Sequence, residues 1–160
     1  MKVLHAILIC TSSLLWITSC NKSLVIENVN YAQNVESVLV PDEEGIVIDD
    51  RNNISFSILP LMHREFGKNS SLNINEIRLI RNQNGFYFIT AHHFKNVYVF
   101  MPVENELKLK KTIAISDNEI HKPIFNWRNP YIEILSLENG NSLFLTEKGI
   151  ISTIQEEDQL

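Results

Sequence analysis

The chain has 160 residues, and its 19 acidic against 14 basic side chains give a formal charge of −5. That length builds one domain with a real core. The acidic balance disfavours nucleic-acid phosphates and anionic lipid heads as partners, and the largest basic group, Lys108, Lys110 and Lys111, reads as the wet face of a strand.

The N-terminus comes first. Lys2 precedes an apolar run from Val3 to Trp16, and Ile17-Thr18-Ser19-Cys20 follows. The run is too short and too interrupted for a membrane-spanning helix, which needs about 20 apolar residues, and it reads as a signal peptide. An aliphatic residue, two small residues and a cysteine at the end of such a run resemble the lipobox of bacterial lipoproteins. The resemblance implies cleavage before Cys20 and a diacylglyceryl group on its sulfur. Residues 1–19 are then the signal, 20–23 the anchor and a short tether, 24–155 one β-rich domain, and 156–160 a frayed tail. Cys10 leaves with the signal and Cys20 is blocked, so no disulfide, thiol nucleophile or thiolate metal site is expected. Losing Lys2 makes the mature chain more acidic still. Asn21, in place of an aspartate, tilts the expectation toward the outer membrane, facing the periplasm.

Beyond the tether, Leu24-Val25-Ile26 reads as a strand. Tyr31 to Val40 suits either a helical face or a strand over Val35–Val40, ended by Pro41. Ile46–Ile48 and Ile54–Ile58 flank a polar turn and predict a hairpin. Pro60 to Phe66 predicts one or two helical turns stopped by Gly67, and Lys68 to Asn73 a polar loop. Ile77–Ile80 and Phe86–Ile89 predict strands joined by a two-residue Asn84-Gly85 turn. Val97 to Met101 is apolar on both sides and predicts a strand covered on both faces. Leu107, Leu109, Ile113 and Ile115 alternate with Lys108, Lys110 and Thr112, as on a strand with one wet face. Asp117 to Pro130 reads as an irregular connection. Tyr131–Leu137, Leu143–Thr146 and Ile150–Ile154 are further strands, with turns at Asn139-Gly140 and Lys148-Gly149.

Three units, starting at Gly45, Gly85 and Gly140, each carry a glycine turn, a short strand, a polar turn and a second strand. The stretch from Asn84 to Ile115 resembles one blade of a β-propeller, with Gly-aromatic-aromatic, then Val-Tyr-Val-Phe, then a polar hairpin. A closed propeller needs about four blades, more than this chain supplies. The expected fold is mainly β: antiparallel hairpins in a meander, forming a sandwich or an open propeller-like stack with at most one short helix.

The search for chemistry is sparse. His92-His93, placed on a strand, should point to opposite faces and not share a metal ion. Asp42-Glu43-Glu44 and Asp49-Asp50 offer oxygens for Ca²⁺, but Ile46–Ile48 carries the two groups apart. Trp127 and Arg128 are residue types enriched at recognition surfaces, although a tryptophan here also suits the core. No nucleophile elbow, zinc-protease motif or phosphate loop occurs. The expectation is a lipid-anchored interaction domain of the cell envelope, not an enzyme, with no cofactor and no metal. It would meet the membrane through Cys20 and a protein partner through Trp127, Arg128, His92 and His93. A sharper form is an immunity protein against a periplasmic toxin, which an acidic surface would help to capture if the toxin is basic. The alternatives are an assembly lipoprotein of an envelope machine, or a small-ligand binder with His92, His93, His121 and Trp127 around a pocket.

Overall fold

The computed structural model describes residues 35–68, 74–104, 106–136, 140 and 142–151. The signal, Cys20, the expected strand at 24–26, most of the 68–73 loop and the C-terminal tail lie outside them. In chain order the elements are β1 (Ser37–Leu39), β2 (Ile46–Asp49), β3 (Ile54–Ser57), α1 (Leu59–Phe66), β4 (Ile77–Arg81), β5 (Tyr87–Ala91), β6 (Asn96–Val103), β7 (Glu106–Ala114), β8 (Pro123–Arg128), β9 (Tyr131–Ser136), β10 (Ser142–Thr146) and β11 (Gly149–Ile151). All strand pairings are antiparallel. The fold is mainly β, with one helix among the described residues.

Three layers follow from the pairing. The middle layer is a five-stranded sheet in the order β1-β4-β5-β6-β7, and an outer layer is a four-stranded sheet in the order β11-β10-β9-β8. The β2–β3 hairpin and α1 form the third. Alternation along β4–β6 splits the core in two. Ile77, Leu79, Tyr87, Ile89, Ala91 and Tyr98 pack with Val47, Ile58 and Leu61 under the hairpin and helix. Ile80, Phe88, Val97 and Val99 point the other way, against Phe125, Ile132, Ile134 and Leu145 of the four-stranded sheet. Every residue of β5 is buried, because this strand is covered on both faces. The helix is short, starts with Pro60 near its first position and ends at Gly67, as expected.

Two turns repeat atom by atom. Gly45 N–H bonds to Asp42 O at 3.0 Å and Gly85 N–H to Asn82 O at 3.0 Å; Asp42 N–H reaches Ile46 O and Asn82 N–H reaches Phe86 O, each at 2.9 Å. The side-chain oxygens of Asp42 and Asn82 then take the Ile46 and Phe86 N–H groups at 2.7 and 2.9 Å. Both glycines have φ near +80° (77° and 83°), where a side chain is strained. The loop is therefore a three-residue type I turn with a glycine bulge, Gln83 to Gly85, and not the two-residue turn expected at Asn84-Gly85. Gly140 falls elsewhere. It follows β9, the second strand of its four-stranded meander, whereas Gly85 follows β4 and leads into β5, and Gly45 opens the separate β2–β3 hairpin. The corresponding first turn of that meander is the cis Asn129-Pro130.

Two further expectations are corrected. The stretch read as an irregular connection contains β8, which opens with Pro123 at an edge position, where the missing N–H costs no ladder bond. On β7 the pairing shifts between Val99 and Phe100, so Phe100 faces Leu109 while Val99 faces Lys111. Lys110 is the extra residue of a bulge. Leu107 and Leu109 consequently pack on the helix side and Ile113 on the other, so no single wet face runs along this strand.

Glu36 joins the layers. Its carboxylate accepts from Phe125 N–H on β8 at 2.7 Å and pairs with Arg78 on β4 at 2.9 Å. Burial pushes the Glu36 carboxyl above its ordinary 4.5, outweighing the Phe125 N–H and the Arg78 guanidinium, which pull it down. The ionised form is therefore costly at neutral pH. Stability from this group should rise as pH falls through its raised value toward 4.5, because the folded state takes up the proton first. Glu36→Gln keeps an acceptor for Phe125 and should alter stability by less than about 1 kcal/mol while flattening that pH slope. Glu36→Ala orphans the buried N–H and should cost about 1–3 kcal/mol. Urea denaturation from pH 4 to 7 separates the two.

Candidate functional site

The main concentration of chemistry-bearing side chains in the described residues lies where the β5–β6 turn meets the segment before β8. His92 and His93 do not lie on a strand. They follow Ala91 in a turn, and His93 adopts φ 70°. Positive φ is uncommon for a residue with a side chain and costs about 1–3 kcal/mol. Its consequence is that the alternation of a strand is lost, and the two rings lie together with centroids 3.8 Å apart at 44°. The expectation that they diverge is therefore wrong, because it assumed extended backbone.

His121 completes the group. Its ring is 5.4 Å from that of His92 and 5.8 Å from that of His93, both edge-on. Backbone bonds fix this meeting: His93 N–H donates to Ile120 O at 3.0 Å, and Ile120 N–H donates to Phe94 O at 2.8 Å. Ile120 itself is buried in the core between the sheets. Ser136 Oγ on β9 donates to His121 O at 3.1 Å. One ring nitrogen from each histidine lies within 4.8 Å of the others.

Two more contacts set the ring chemistry. His93 Nδ1 stands 2.5 Å from Glu119 Oε2, so Nδ1 is the ring nitrogen that donates to the carboxylate and Nε2 is the one left to face a ligand. Lys122 N–H donates to His92 Nδ1 at 3.2 Å, so that nitrogen presents a lone pair. Lys122 has φ 46°, a second residue in the left-handed region at the same place. His92 and His93 also line a cavity of about 240 Å³ with Ile74, Asn75, Glu76 and Lys122. Glu119 lines a different one, of about 430 Å³, with Ser136, Ser142 and the apolar Ile115, Ile120, Ile134 and Leu143.

Compared with known proteins, the chain matches no protein-family model, no curated protein and no solved structure.

The other candidate residues sit apart. Trp127 is half-buried and packs on the core between the sheets. Arg128 is exposed, and its Nε pairs at 3.0 Å with the buried Glu133 carboxylate, which Asn126 also reaches. Both lie at the far end of β8 from His121, with Trp127 about 13 Å along the strand from Pro123. Among the described residues Trp127 stands apart from the cavity that His92 and His93 line. Asp42 and Asp49 each cap a separate turn, at opposite ends of β2, as the intervening strand predicted. Glu119 and Lys122 escaped the sequence reading. The alternation Glu119-Ile120-His121 is their one local signal, and it says nothing about His93.

Proposed function

We propose that this protein is a lipid-anchored binding domain of the bacterial cell envelope, held through Cys20 and engaging a protein partner without catalysis of its own. One observation carries the reading: Ile17-Thr18-Ser19-Cys20 closes an apolar run that opens after Lys2. Fatty chains on that sulfur hold the domain at a membrane, since two or more chains anchor stably where one does not.

The partner surface that best suits the domain is the β1 edge. Among the described residues β1 pairs with β4 alone, and its segment exposes Val35, Val38 and Val40 at 47, 49 and 73 %. An open edge with apolar side chains is a template for adding a strand from another chain.

Mass spectrometry of the mature N-terminal peptide tests the anchor. It should begin at Cys20 and carry a diacylglyceryl thioether, while Cys20→Ser should keep residues 1–19 and carry no lipid. Retained upstream residues or a bare sulfur on the unaltered protein sink the anchor. For the partner, a photo-crosslinker placed at Val38 in intact cells should give one discrete adduct, and its absence removes the edge from consideration.

A further inference from the structure

We infer that His92, His93 and His121 form a binding site for a divalent transition-metal ion of the borderline class, zinc above all. The inference is independent of the lipid anchor and concerns the folded domain alone.

The donor set decides the class of ion. Three imidazoles with no thiolate and few oxygens suit zinc, copper or nickel and not calcium or magnesium. Their ring nitrogens already lie within 4.8 Å of one another. A tetrahedral zinc centre with bonds of about 2.0–2.1 Å needs them at about 3.3 Å. The rings are half-buried, and binding requires them to rotate about their side-chain bonds to close that gap.

The surroundings fit the ion as well. A ligating histidine usually donates its other ring N–H to a carboxylate, which fixes the tautomer and raises basicity. Glu119 stands in that position on His93 Nδ1, so Nε2 faces the ion. His92 offers the Nδ1 lone pair that Lys122 N–H now meets at a long 3.2 Å, and the ion takes that lone pair in place of the amide. Glu119 supplies negative charge beside the cation, while the Lys122 ammonium opposes it from the exposed rim. Two of the three histidines, His92 and His93, also line the cavity that Asn75 and Glu76 border, which has room for water or a partner's side chain. The left-handed backbone at both His93 and Lys122 is unfavourable in isolation, and an ion that draws the rings together offsets it.

Zn²⁺ titration of the full chain in detergent, by calorimetry at pH 7.5, tests this. One ion should bind per chain, and its affinity should fall as pH drops, because protons compete for the same lone pairs. His93→Ala and His121→Ala should abolish the heat. Glu119→Gln should weaken binding about 10–100-fold. His63→Ala on α1, outside the cluster, should change nothing. The Lys122 amide resonance should shift on saturation. With Co²⁺ the visible bands should appear without thiolate charge transfer. Unchanged affinity in His93→Ala, or thiolate bands that place the ion on Cys10 or Cys20, overturns the site. If His121→Ala does not fold, His93→Gln and Glu119→Gln, both partly exposed, still decide.

Discussion

Phe88→Ala should destabilise the protein by about 3–5 kcal/mol, the range for truncating a fully buried phenylalanine. Its ring is 0 % exposed and packs between the two sheets with Val99, Phe125 and Leu145. Its neighbours Tyr87 and Ile89 belong to the other core, under α1. No alternative packing fills the space, since β5 is held on both sides by β4 and β6. Because β5 contributes to both cores, unfolding should stay a single transition: the midpoint in urea moves down while its steepness stays. Two separate transitions would mean that the four-stranded sheet unfolds on its own. A loss near 3 kcal/mol is a large share of the 5–15 kcal/mol typical of a domain, so the variant should also express poorly at 37 °C.

Removing the Glu65 carboxylate should come second. From the last turn of α1 it accepts three hydrogen bonds, from Lys95 N–H at 3.0 Å, Asn96 Nδ2 at 2.9 Å and the Tyr98 hydroxyl at 2.9 Å. These fasten the helix to the start of β6 and to the turn that carries His93. Hydrogen bonds to a charged group contribute about 1.5–3 kcal/mol each and are not additive in a cluster. Glu65→Ala should therefore cost about 2–4 kcal/mol, with Glu65→Gln recovering part, as measured by denaturation. Burial, and then the Glu65 carboxylate, push the Tyr98 phenol well above its ordinary 10.0. The folded state holds that proton more tightly, so its contribution is intact below pH 10 and is lost as pH rises toward the raised value. Tyr98→Phe should lack this alkaline loss, and thermal melts between pH 8 and 11 show the difference.

How much of this is legible in the sequence depends on the range of the signal. The turn chemistry is local, since Asp42 and Asn82 each stand three residues before a glycine, but the expected two-residue turn at Asn84-Gly85 missed the part that the Asn82 side chain plays. The hairpin over Ile46–Ser57, the helix after Pro60 and the doubly covered β6 are equally local readings that the structure repeats. The β7 faces are not, because a one-residue bulge at Lys110 leaves the alternation of leucines and lysines intact while moving Ile113 to the other side. β8 escaped because Pro123 and Asn126 weaken strand propensity, and only its edge position makes them tolerable.

The amino-acid pattern alone determined that this chain is a set of antiparallel hairpins, since a two-residue period and glycine turns act over neighbours. It also contains the Lys2-to-Cys20 pattern on which the proposed anchor rests. Only the tertiary structure decided that β5 serves two cores, and that His121 from the segment before β8 joins His92 and His93 of the β5–β6 turn. The reason is physical. A ring's direction follows from the φ of its own residue, and its neighbours follow from how distant segments are bonded. His93 takes φ 70° and bonds to Ile120, and neither fact has any trace in the letters His92-His93.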